Sequence, residues 1–229
     1  GSITSSVSAN TTSGFSIVSY TGTGANATVG HGLSSAPKMV IFKNRDNGTQ
    51  EWDTYHAGLT DATYFIQLNS TNAQNNTNGA LRFNSTAPTS SVFSVGTSTT
   101  TNESSSAMIA YCFSEVKGFS KFGSFNGNGS ADGTFVYTGF KPAFIITKLS
   151  SGTGSWFLHD NKRNGYHGGN NYVYPNASDA ELTTQLLDIT SNGFKMRYAG
   201  GANSSGTSIY MAFAESPLVG TNNIPATAR

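Results

Sequence analysis

The stretch APKMVIFK, residues 36–43, returns 105 residues later as KPAFIITK, residues 141–148. The same offset carries Tyr20-Thr-Gly22-Thr-Gly24 onto Phe125-Asn-Gly127-Asn-Gly129. Further landmarks follow in order. Trp52-x-x-Tyr55-His56 answers Trp156-x-x-His159-Asp160, Phe93 answers Phe194, and Ile109 to Glu115 answers Ile209 to Glu215. Self-similarity at a fixed period marks a supersecondary unit written more than once. The chain therefore reads as a lead segment (1–13), a first β repeat (14–117), a second β repeat (118–219) and a tail (220–229).

Each copy reads as β structure. Runs rich in β-branched and aromatic residues, such as FSIVSY, KMVIFK, AMIAYCF, TFVYTGF, AFIITK, SWFLH and SIYMAF, are separated by Gly, Asn, Ser and Thr clusters. The best helical window, Ala177–Asp188, is short. The expectation is all-β: two tandem, related antiparallel β-sandwich units of jelly-roll or lectin-like character with little helix. In the closing strand of each copy, alternation puts Ile109, Tyr111 and Phe113 on one face and Ala110, Cys112 and Ser114 on the other. The large set is expected to face the core.

Composition narrows the function. Charged residues make up only 11% of the 229, where roughly 25% is usual, and Ser, Thr, Asn and Gly take their place. A net charge of +1 without a basic run gives no footprint for nucleic acid. No stretch has the length of a membrane helix, so no membrane insertion is expected. The opening GSITSSVSAN lacks the charged and apolar regions of a signal peptide, and its Gly1-Ser2 is compatible with a cloning remnant. Ten Asn-x-Ser/Thr sequons occur, a number that this composition produces by chance.

Motifs for chemistry are missing. Neither a nucleophile elbow nor a phosphate loop is present, and the paired glycines lack the third glycine of a dinucleotide fingerprint. The four histidines form no His-x-x-x-His pair. NGNGSADG, residues 126–133, spaces Asn126, Asn128, Ser130 and Asp132 like a calcium loop, but with a single carboxylate. Glu115 and Glu215 sit at equivalent strand ends of separate copies, which favours a structural role over a glycosidase pair at roughly 5–9.5 Å. Cys112 lies in an apolar run and reads as a buried, inert thiol. No enzyme activity, cofactor or metal is expected.

Positions kept in both copies are scaffold, so a binding site belongs among residues that only one copy has. The loop NGYHGGNNYVY, residues 164–174, satisfies this, and its aromatic rings flanked by amides suit a sugar. The candidate ligand-binding residues are Tyr166, His167, Asn170 and Tyr172. Packing of the tyrosines beneath their own loop is the competing reading.

The string from FSIVSYTGTGANATVGHGL through APKMVIFKNRD, IAYCFSEVKGFSKFGSFNGNGSADGTFVYTGFKPAFIITK, DNKRNGY and SNGFKMR to IYMAFAESPL resembles a C-terminal domain of bacteriophage tail-fibre or tail-spike-like virion proteins, notably of marine phages and cyanophages. His159 departs from that pattern, which has an aromatic residue such as tyrosine before DNKR. The resemblance implies a virion-surface, extracellular module made without a signal peptide, attached to other virion proteins and binding a host cell-surface receptor, a glycan, as a homotrimer. It brings no catalytic residue. A ligand-free decoration or fibre-shaft protein is the alternative. A polysaccharide depolymerase fits less well, because spike depolymerases use a β-helix whose rungs are far shorter than this repeat.

Overall fold

The computed structural model describes residues 1–163 and 171–215. Its regular structure is almost all strand, arranged in antiparallel sheets. Two compact units divide the chain. The first contains Gly1–Asn69 and Gln74–Glu115; the second contains Ser70–Ala73 and the chain from Val116 onward.

The first unit runs β1 (Ser5–Asn10), β2 (Phe15–Thr21), β3 (Ala27–Gly30), β4 (Pro37–Asn44), β5 (Asp53–His56), β6 (Ile66–Gln67), α1 (Ala80–Phe83), β7 (Val92–Val95), α2 (Thr99–Asn102) and β8 (Ala107–Ser114). A six-stranded sheet, β1-β2-β8-β4-β5-β6, is one layer, and the β3-β7 pair is in the other. Between them lies a core containing Val18, Tyr20, Val40, Phe42, Phe93, Val95, Met108, Ala110 and Cys112.

The second unit runs β9 (Ser120–Gly127), β10 (Phe135–Tyr137), β11 (Pro142–Leu149), β12 (Trp156–Asp160), β13 (Tyr172–Val173), β14 (Leu187–Thr190), β15 (Gly193–Met196) and β16 (Gly206–Ala214). Its five-stranded sheet, β13-β12-β11-β16-β9, repeats the order β6-β5-β4-β8-β2. The facing sheet, β10-β15-β14, repeats β3-β7 and adds β14. The lead segment supplies β1, which pairs along β2 and has no equivalent among the described residues of the second unit.

The core face is the reverse of the expectation from side-chain size. In β8 the buried side chains are Met108, Ala110, Cys112 and Ser114, while Ile109, Tyr111 and Phe113 lie on the opposite face, half-buried. The second core likewise takes Tyr210 and Ala212 from β16. Small residues on a central strand leave room for rings carried by its neighbours and by the opposing sheet. Phe42 meets Phe93 edge to face at 5.3 Å, an arrangement aromatic pairs favour. Ala177–Asp188 is not helical: residues 177–186 are irregular and β14 begins at Leu187. Burial also pushes the Cys112 thiol far up, in keeping with an inert side chain.

The repeated glycine turns are built around a buried asparagine that both copies supply. Asn102 Nδ2 donates to the carbonyls of Ala25 and Gly96, each at 2.7 Å, while its Oδ1 accepts from Thr23 N at 2.8 Å. In the second unit, Asn203 Nδ2 donates to the carbonyls of Ser130 and Tyr198, each at 2.8 Å. The backbone carbonyls of Asn102 and Asn203 in turn accept from Gly24 N and Gly129 N. Both asparagines fall in sequons yet are fully buried.

Candidate functional site

Tyr166, His167 and Asn170 lie outside the described residues. Tyr172 does not serve as an exposed sugar platform. It is 5% exposed, in β13, with its ring 5.7 Å from Phe157 and 5.5 Å from His159 and Tyr174. Pairing with β12 turns its ring into the core, where burial raises its hydroxyl pKa. The residues flanking 164–170 share one acidic partner. Arg163 Nη1 donates to Glu181 Oε2 at 2.5 Å and Asn171 Nδ2 to Glu181 Oε1 at 2.6 Å.

His159, the departure from the family pattern, is fully buried and stands where Tyr55 stands in the first unit. Neither ring nitrogen has a hydrogen-bond partner. Burial pulls its pKa down to about 3, against a small opposing pull from Asp160, so the ring is neutral at pH 7. A fully buried ring inside an aromatic cluster presents no face to a ligand.

The other chemical candidates resolve into structure. Among the described residues, no group of three or more His, Cys, Asp or Glu side chains is gathered as a metal ion needs. In the calcium-like turn, Asn128 Oδ1 accepts from Ser130 N at 3.0 Å and Ser130 Oγ from Asp132 N at 3.2 Å. Asp132 pairs with Lys195 at 2.7 Å, and that ammonium holds its carboxyl below the usual range. Glu215 accepts from Asn161 Nδ2 at 3.1 Å and pairs with Lys162.

An exposed aromatic face lies elsewhere in the second unit. β10 forms an edge of the β10-β15-β14 sheet, and alternation buries Val136 while turning Phe135 and Tyr137 outward, 45% and 61% exposed. Their partners on β15 are Lys195 and Gly193, and Lys195 in turn pairs with Asp188 on β14. Gly193 is required because a Cβ there would meet Val136 O at 2.1 Å and the Phe135 ring at 3.2 Å. Two rings thus stand on a rigid sheet beside a polar border. Lys195 Nζ donates to Gly133 O at 2.9 Å, and Arg197 pairs with Asp188 at 2.5 Å.

Only the second copy has this face. Val29 opposite Phe93 corresponds to Val136 opposite Phe194, so Thr28 and Gly30 occupy the positions of Phe135 and Tyr137. The first copy's β3 is instead flanked by the lead segment: Ile3 N donates to Thr28 O at 3.0 Å and Ser2 N to Thr28 Oγ1 at 3.0 Å. The test of asking what one copy lacks therefore selects Phe135 and Tyr137. The alternating Phe135-Val-Tyr137, set against Ala27-Thr-Val-Gly30, is the sequence signal that marks them.

No curated protein and no solved structure matches the chain. A family model described as Domain of unknown function (DUF7483) matches residues 1–217, and the chain belongs to that family.

Proposed function

We propose that this chain is a virion-surface attachment module of the phage tail-fibre or tail-spike kind, that it binds a host cell-surface glycan, and that Phe135 and Tyr137 form the contact. The supporting observation is the pair of exposed rings that only the second copy carries, raised on a β-sheet with Lys195, Asp188 and Thr190 on the same face. Sugar rings have apolar C–H faces and hydroxyl rims. Aromatic side chains take the first and charged or amide groups the second. Exposed apolar area on an otherwise polar, weakly charged surface is the feature expected of a contact site. The resemblance of the long motif string to fibre-like phage proteins supports the location, with a homotrimer and neighbouring virion proteins as proposed partners.

The test is retention of host cells and glycan-array binding by the purified chain, compared with a Phe135→Ser/Tyr137→Ser double variant. Loss of binding with an unchanged melting temperature supports the site. Binding that survives both substitutions refutes it, and a chain that binds no glycan and no cell refutes attachment in favour of decoration or a fibre shaft. Sedimentation of a monomer alone would refute the trimer.

A further inference from the structure

We infer that the first unit holds a second, separate binding site that takes a carboxylate-bearing saccharide, with Arg45 as its anion anchor. An open cleft of about 360 Å³ lies on this unit, lined by Thr4, Ser5, Ser6, Ser19, Thr21 and Arg45, with Tyr20, Ala107 and Met108 completing it. Its volume falls at the lower end of the few hundred Å³ usual for small-ligand sites, which suits one or two sugar rings.

The cleft's walls follow from strand register. Ser6 on β1 pairs with Ser19 on β2, and Thr21 on β2 pairs with Ala107 on β8. Arg45 follows β4 and donates its backbone N–H to Ala107 O at 2.8 Å. Four neighbouring chain segments therefore bring the hydroxyls of Ser6, Ser19 and Thr21 and the Arg45 guanidinium to one end of the sheet.

The anchor's backbone is fixed before any ligand arrives. Asp46 Oδ2 accepts from Ala107 N at 2.7 Å, answering the Arg45–Ala107 bond, and Asn44 Oδ1 accepts from Asp46 N at 3.1 Å and Asn47 N at 3.0 Å. Those bonds also occupy the nearby acids: Asp46 holds the Ala107 amide, and Glu103 receives Asn44 Nδ2 and Ser106 Oγ. Lys43 is directed to the Gly48 and Gln50 carbonyls and lies over the Trp52 ring. Arg45 itself is exposed, and its guanidinium makes no hydrogen bond or ion pair among the described residues. One free, planar, bidentate donor suits a monoanionic carboxylate better than a phosphate dianion, which calls for further cations.

This site also belongs to one copy only. Arg45 follows Lys43 by two residues, and the corresponding position after Lys148 is Ser150. The β1 strand that closes the cleft has no equivalent among the described residues of the second unit.

Titration calorimetry of the full chain with a glucuronate-containing disaccharide tests the inference, with the corresponding glucose disaccharide as neutral control. The acidic sugar should bind and the neutral one should bind at least about tenfold more weakly; Arg45→Gln should remove that preference, Arg45→Lys should keep part of it, and added salt should weaken it. Because Arg45 is exposed, both variants should keep the wild-type melting temperature, and amide shifts at Ser6 and Ser19 on adding the acidic sugar provide a second readout. The Phe135→Ser/Tyr137→Ser variant should bind the acidic disaccharide like wild type, which separates this site from the aromatic face. Equal binding of the two sugars, undiminished binding by Arg45→Gln, or no binding of the acidic sugar at millimolar concentration would overturn the inference.

Discussion

Replacing His159 by phenylalanine should make the second unit more stable, and increasingly so as pH falls. The ring is fully buried with both nitrogens unbonded, and its pKa lies near 3 against an ordinary 6.5. At pH 7 the ring is neutral in the folded chain and mostly neutral in the unfolded one. The cost there is that of stripping water from polar nitrogens that regain no partner, about 1–3 kcal/mol. Below pH 6.5 the unfolded chain binds a proton that the folded chain refuses until about pH 3, so stability falls with acidification across that window. At pH 4.5, two pH units below the ordinary value, the added loss is about 2.7 kcal/mol at about 1.36 kcal/mol per unit. Phenylalanine fills the same slot beside Phe157 and Tyr172 without either cost. Tyrosine, found at the equivalent Tyr55, would bring a hydroxyl needing a partner of its own. The assay is urea unfolding at pH 7 and pH 4.5 in a Trp52→Phe background, so that buried Trp156 reports the second unit. His31 is also buried with a lowered pKa, but it lies in the first unit and is common to both proteins. The reasoning fails if His159→Phe gives no stabilisation at pH 7, or if its advantage does not grow between pH 7 and pH 4.5.

Three other outcomes follow from polar groups buried in the two units. Asp53 is fully buried, paired with Arg82 at 2.6 Å and bonded by Thr100 at 2.5 Å, so Asp53→Ala should cost about 3–5 kcal/mol by leaving the guanidinium without its partner, read from the urea midpoint. Asn203→Ala removes the donors to Ser130 O and Tyr198 O and should cost about 1–3 kcal/mol, with faster proteolysis in the 128–132 turn; Asn102→Ala should do the same to the first unit's turn. Lys148 is buried with Nζ on Leu149 O at 2.7 Å, and burial lowers its pKa to about 8 from 10.5. Between about pH 8 and 10.5 the unfolded chain keeps the proton that the folded chain has released, so stability should rise with pH, and Lys148→Met should flatten that rise in alkaline urea titrations.

The sheets were legible in the sequence wherever β-branched and aromatic residues ran together, as in β4, β8, β11 and β16. Short strands such as β6 and β13 were not, because two residues carry no period. The orientation of β8 differs from the sequence expectation for a physical reason: side-chain size says which face is bulky, whereas the core takes the face whose gaps other strands can fill. Cys112 and Ala110 are buried because Phe42 and its aromatic neighbours supply the volume. Tyr172 misled similarly. In a Tyr-rich stretch, only pairing with His159 decides which rings turn inward, and that pairing is a long-range contact. Asn102 and Asn203 gave no signal in a chain so rich in asparagine; only their bonds distinguish them.

A duplicated unit gives a control that a single domain lacks. The shared parts, the sheet order and the buried asparagine beneath each glycine turn, can be assigned to stability because each unit folds around its own copy. What is left over is small and uneven. The first unit adds β1 and Arg45; the second adds β14, Phe135 and Tyr137. In the first unit Ile3 of the lead segment bridges Val29 on β3, and in the second the corresponding strand β10 is an edge with aromatic side chains. An exposed edge invites pairing with other chains and is usually blunted by shortness, twist or charge. β10 is three residues long, and its sheet neighbour Lys195 is held by Asp132. That protection leaves the two rings exposed without presenting a long strand edge, which is the arrangement expected if they are kept for a ligand rather than for a sheet partner.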